Sequence, residues 1–203
     1  MRLFVALDIE NSLKGEIFGL QKLLSIGNQN IELRFVARGD LHLTLKFLGE
    51  VEEGLNRSEP IGQNRFQSSH NTVTEISKRI KSVSDKTKKF NISIQGLSFF
   101  GSAEKPTVIF LDVVEGRGEL IELGMELNEK LNYIRKEEFD PRPHLTLTRV
   151  GLVKDSRKLM EKINSLKGFS AGQMESREIK LFKSTLTGRG PVYTEVGRFG
   201  LNG

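Results

Sequence analysis

The chain has 203 residues, no cysteine, 37% hydrophobic and 28% charged residues, and a formal net charge of +5. Disulfides and thiolate metal centres are excluded, and no apolar run approaches the ~20 residues a membrane helix needs. The size predicts one domain, or two small lobes sharing a core, and the basic balance favours an anionic partner such as nucleic acid.

Residues 2–8 read as a first strand; the opening is too short for a signal peptide's apolar region with a cleavage site. After a turn at residues 8–11, Ser12 can cap a helix to about Leu24, with Leu13, Ile17, Leu20 and Leu24 on one face. Residues 31–36 and 41–48 read as strands flanking a turn at Arg38-Gly39-Asp40. Residues 52–71 are polar with little periodicity, which predicts a long exposed loop with His70 at its end. A helix is expected over 72–88, striped by Val73, Ile76, Ile80 and Val83. Strands follow at 90–97 and 107–114, then an amphipathic helix at 117–134 carrying Leu120, Leu123, Leu127 and Leu131. A strand at 143–150, a helix at 155–166 and strands at 177–183 and 192–199 complete the chain. The mixed order predicts an α+β fold with antiparallel sheets rather than a doubly wound parallel one.

Two of the three histidines sit in the same tetrapeptide, His42-Leu43-Thr44-Leu45 and His144-Leu145-Thr146-Leu147, about half the chain apart. On a strand, side chains i and i+2 share a face. Each copy therefore has an apolar Leu/Leu back and an imidazole-hydroxyl front. Histidine titrates near ~6.5, so one ring of a pair can be charged while the other is neutral. That suits paired general acid and base catalysis. Phosphodiester hydrolysis places entering and leaving oxygens roughly in line across phosphorus, so acid and base must flank it, as two strands about a pseudo-twofold axis would. Thr44 and Thr146 can donate hydroxyls to non-bridging oxygens. The scheme needs no metal. Lys46 falls on the His42 face by parity and reads most simply as a solvated strand residue. Arg149 has the wrong parity and reaches the site only if its strand ends or bulges first. A zinc hydrolase is disfavoured because no His-x-His or Glu-x-x-His spacing is present. A non-catalytic RNA-end-binding module would have no reason to keep both histidines.

The paired His-x-Thr motifs resemble those of the two-histidine (2H) phosphoesterase superfamily, in its RNA 2′,3′-cyclic phosphodiesterase branch, historically named 2′-5′ RNA ligases. The likeness extends to residues 2–8, 40–50, 143–150, Ser184-Thr185-Leu186-Thr187 and Gly190-Pro191-Val192-Tyr193. The resemblance implies a LigT-like α+β fold: two pseudo-symmetric lobes of antiparallel sheet with flanking helices and a central cleft. It implies one two-lobed domain over 1–203, with a polar insertion at about 52–71. It implies opening of RNA 2′,3′-cyclic phosphate ends to 2′-phosphomonoesters, with 2′-5′ ligation by the same site as the alternative. His42 would be the proton donor and His144 the acceptor, with Thr44, Thr146 and Arg149 on the phosphate. No cofactor or metal is implied. The expected partner is RNA with a cyclic phosphate end, tRNA fragments among the candidates, met by a cytoplasmic monomer without a membrane.

Overall fold

The computed structural model describes residues 1–25, 31–51, 72–135, 142–188 and 190–203. The expected insertion at 52–71, His70 included, lies outside them. Among the described residues are four helices and nine strands. The strands are β1 (Arg2–Asp8), β2 (Ile31–Phe35), β3 (His42–Glu50), β4 (Phe90–Gly101), β5 (Pro106–Val113), β6 (His144–Val153), β7 (Ser170–Ser176), β8 (Glu178–Thr187) and β9 (Gly190–Gly200). The helices are α1 (Asn11–Ser25), α2 (Thr72–Ser84), α3 (Arg117–Leu131) and α4 (Ser156–Ser165). The fold is α+β with a curled antiparallel sheet, as the sequence predicts. None of these helices is long and apolar enough to cross a membrane.

The strands join in the order β7-β4-β5-β6-β3-β1-β8-β9, with β2 added on the far part of β6. A pseudo-twofold axis runs through the middle. It relates β3 to β6, β1 to β5, β8 to β4 and β9 to β7. The two half-sheets meet at a single pair, Leu43 opposite Leu145.

One face of the sheet is apolar and covered. Leu43, Leu45, Leu145 and Leu147 lie in the core with Ile17, Leu20, Leu24, Leu123 and Leu127. Burying one such side chain stabilises by about 1.5–3 kcal/mol, so the leucine alternation fixes which face is inside. The helices are crossed. α1 follows β1 yet packs on β6 and β7, and α3 follows β5 yet packs on β3. Each half of the sheet is thus backed by the helix that belongs, in chain order, to the other half. The opposite face carries the histidines.

Candidate active site

The site starts from the Leu43–Leu145 step. Counting one residue either way in this antiparallel register puts Thr146 opposite His42 and Thr44 opposite His144. All four lie on the face away from the leucines and are half-buried. The histidines occupy the diagonal of this square, where backbones in a regular ladder are about 7–8 Å apart. They are close enough that a charge on His144 disfavours a charge on His42.

Each ring is locked the same way. Nδ1–H of His42 donates to the carbonyl of Asp40 at 2.6 Å, and Nδ1–H of His144 donates to the carbonyl of Arg142 at 2.7 Å. The anchor is the carbonyl two residues upstream in both cases. Fixing Nδ1 as the donor leaves Nε2 as the atom that can take or give a proton. Nε2 of His42 lies 3.1 Å from Thr44 Oγ1. In the neutral ring the threonine hydroxyl donates to Nε2; in the imidazolium the direction reverses.

Aromatic side chains wall both rings. His42 has Phe4 at 4.9 Å, Tyr193 at 5.3 Å and Phe182 at 6.3 Å between centroids. His144 has Phe100 at 4.9 Å and Phe110 at 5.2 Å, and the Arg142 guanidinium lies over both phenylalanines. Burial holds both imidazoles below their ordinary value, because an apolar wall disfavours the cation. Sequence reasoning does not reach these five aromatics as wall residues. Their common signal is register: Phe4 faces Phe182 across β1 and β8, and Phe110 faces Thr146 across β5 and β6.

Arg149 comes to the histidine face through a bulge. Phe110 pairs with Thr146 but Ile109 pairs with Thr148, so Leu147 is an extra residue. Parity resets there. Thr148 turns inward with no exposure, and Arg149 turns out toward the site, where its charge acts on both His144 and Tyr193.

The first motif carries the same bulge, since Ala6 pairs with Thr44 and Val5 with Lys46, leaving Leu45 as the extra residue. This corrects the reading of Lys46 as a solvated residue on the His42 face. Lys46 is 1% exposed. Its Nζ donates to Asn128 Oδ1 at 2.6 Å and to the Arg135 carbonyl at 3.2 Å, on the helix-covered side. Phe47 takes the outward position instead, 6.2 Å from Phe4.

A buried glutamine ties the second bulge down. Gln21 of α1 donates through Nε2 to the Leu147 carbonyl at 3.0 Å and to the Val36 carbonyl at 2.9 Å. Gln21→Leu keeps the volume but removes both donors, so it should cost about 1–3 kcal/mol in urea unfolding. An unchanged midpoint would show that the bulge needs no tether.

The family model of the 2′-5′ RNA ligase superfamily matches residues 26–185. The chain belongs to that superfamily. It is 31% identical to the RNA 2′,3′-cyclic phosphodiesterase of Methanocaldococcus jannaschii over 95% of this chain and 96% of the relative. It is 32% identical to that of Archaeoglobus fulgidus over 98% and 99%. Among solved structures, TT0787 of Thermus thermophilus superposes with a TM-score of 0.75 at 21% identity, over 99% of this chain and 98% of that one. E. coli LigT in its apo form superposes with a TM-score of 0.68 at 20% identity, over 100% and 98%. In this member of the superfamily the two motifs sit on adjacent, symmetry-related strands at the centre of the shared fold.

Proposed function

We propose that the chain hydrolyses RNA 2′,3′-cyclic phosphate ends to 2′-phosphomonoesters. The observation that carries the reading is the diagonal pair of imidazoles, each with Nδ1 tied to a backbone carbonyl and Nε2 left for proton transfer. The names of the relatives, RNA 2′,3′-cyclic phosphodiesterases, supply the substrate class.

In this reading the cyclic phosphate sits between the two halves of the sheet. Nε2 of His144 takes a proton from water as its oxygen attacks phosphorus. The bond from phosphorus to the 3′-oxygen breaks, and Nε2–H of His42 supplies the proton that leaves the 3′-hydroxyl neutral. The phosphate stays on the 2′-oxygen. Thr44 and Thr146 donate hydroxyls to the non-bridging oxygens, and Arg149 offsets their charge. Donors placed where charge gathers in the transition state stabilise it more than the ground state.

The test is incubation with an oligonucleotide ending in a 2′,3′-cyclic phosphate, with and without a chelator, and identification of the product. A 2′-phosphate formed equally fast with chelator is expected. A 3′-phosphate, or loss of turnover with chelator, refutes the scheme. The profile of kcat/KM against pH should be bell-shaped, because one ring must be neutral and the other charged. Burial lowers both rings from their ordinary value, so the optimum should fall below about pH 6.5. The two limbs belong to the coupled pair rather than to either ring. An optimum at pH 8 or above would contradict the burial argument.

A further inference from the structure

The two histidines match in backbone and in anchor, though among the described residues a threonine hydroxyl lies on Nε2 of His42 alone, yet the proposed chemistry gives them opposite duties. Their cross-strand partners differ in a way that breaks the tie. Asp8 of β1 lies directly opposite His42, and Asp112 of β5 lies directly opposite His144. Directly opposed residues in an antiparallel pair share a face, so each histidine has one carboxylate beside it, related by the pseudo-twofold axis.

Asp8 is already satisfied. Its Oδ1 accepts from Lys14 Nζ at 2.7 Å and from the Ile9 amide at 2.8 Å, and its Oδ2 accepts from Lys180 Nζ at 2.9 Å. Both lysines are nearly buried, so the pairs are little screened. Asp112 has no such partners. Its Oδ1 is buried without any hydrogen-bond partner, and no ion pair to it appears among the described residues. The symmetry shows what is missing. Lys180 sits opposite Ala6, and the matching residue opposite Phe110 is Ser98. Lys14 follows Asp8 by six residues, and the residue six after Asp112 is Gly118.

We propose that Asp112 is a positioning residue acting through His144: its uncompensated carboxylate stabilises the imidazolium that forms when His144 takes a proton from water. Asp8 still favours the His42 imidazolium, but Lys14 offsets part of that, so His42 has the weaker support and is readier to give its proton away. The inequality of the two carboxylates assigns base and acid to two rings held by the same backbone anchor. The proposal rests on the reading of the site given above.

The other charges around His144 are consistent with this. Arg142, just before β6, and Arg149 on β6 both oppose its protonation, as Asp112 favours it. A bound phosphate offsets the arginines and leaves Asp112 as the surplus charge. Asp112 itself lines a polar hollow of about 310 Å³ with Arg117, Lys167, Gln95 and Gly96. Neither cation pairs with the carboxylate among the described residues. His42 across the step is the remaining titrating neighbour, with Asp8, Lys14 and Asp40 beyond it.

The experiment is a proton NMR titration of both imidazoles in the parent, Asp112→Asn and Ser98→Lys. Asn removes the charge, and Lys supplies the partner that Asp8 has and Asp112 lacks. Both variants should lower the His144 midpoint by about one unit, the low end of the range a single nearby charge produces. His42 should move less than half as far. In a His42→Ala background with an activated aryl phosphodiester, where His144 is the one ring left to titrate, Asp112→Asn should shift the acid limb of kcat/KM to lower pH by the same amount as the midpoint, because a less stabilised imidazolium deprotonates earlier. A His144 midpoint unmoved in folded Asp112→Asn overturns the role of Asp112. A shifted midpoint with an unmoved acid limb in that His42→Ala background instead overturns His144 as the base, and the reading of the site with it.

Discussion

His42→Ala should lose about 10²–10⁴-fold in turnover of an RNA cyclic phosphate end, yet far less on an activated aryl phosphodiester. An RNA 3′-oxygen leaves as an alcohol and must be protonated. An aryl oxygen leaves as a stable anion and needs no proton. His144→Ala should lose about the same 10²–10⁴-fold on both substrates, because water must be deprotonated in either case. The contrast depends on geometry already described. Each Nδ1 is committed to a carbonyl, so removing a ring removes one proton-transfer atom and leaves its partner in place. Measuring kcat/KM for four combinations of enzyme and substrate decides it. Equal losses for His42→Ala on the two substrates would exclude it as the donor.

The largest expected effect on stability lies on the other face. Lys46→Ala should cost about 2–5 kcal/mol in denaturant unfolding. The lysine stem fills space between β3 and α3 in a position that is 1% exposed, and its ammonium serves Asn128 and the Arg135 carbonyl. Alanine leaves a void and leaves those acceptors without this donor. Lys46→Met fills the void without the charge and should recover part of the loss. Catalysis per folded molecule should change little, since Lys46 faces away from the histidines. A Lys46→Ala midpoint equal to the parent's would mean that the ammonium is not buried in solution.

The two predictions concern neighbours in sequence on opposite faces, and this shows where sequence reasoning stopped. The His-Leu-Thr-Leu strands were legible because alternation is a local property and burial of the leucines enforces it. The bulges were not, because Leu45 and Leu147 look like ordinary alternating residues; only pairing with β1 and β5 shows them to be extra. Parity alone shows that Arg149 needs a bulge, whereas the same parity puts Lys46 on the wrong face. Strand β7 escaped because Ser-Ala-Gly-Gln-Met-Glu-Ser offers only Ala171 and Met174 as buried apolar residues at the sheet's edge. Helix α2 ends at Ser84 rather than 88. Its apolar stripe stops at Val83, and the Ser84 and Thr87 hydroxyls bond back to the carbonyls of Lys81 and Val83. The aromatic walls come from β1, β4, β5, β8 and β9, distant segments that only the sheet order brings together.

The paired bulges also make the two halves of the sheet unequal. Both halves of the sheet use the same one-residue insertion to turn a side chain outward five positions after the histidine. One half delivers Phe47 and the other Arg149. Beyond the aromatic walls that both rings share, one half adds a phenyl ring and the other a cation. The two halves therefore differ at this position in one side chain each, while the folding pattern itself treats them alike.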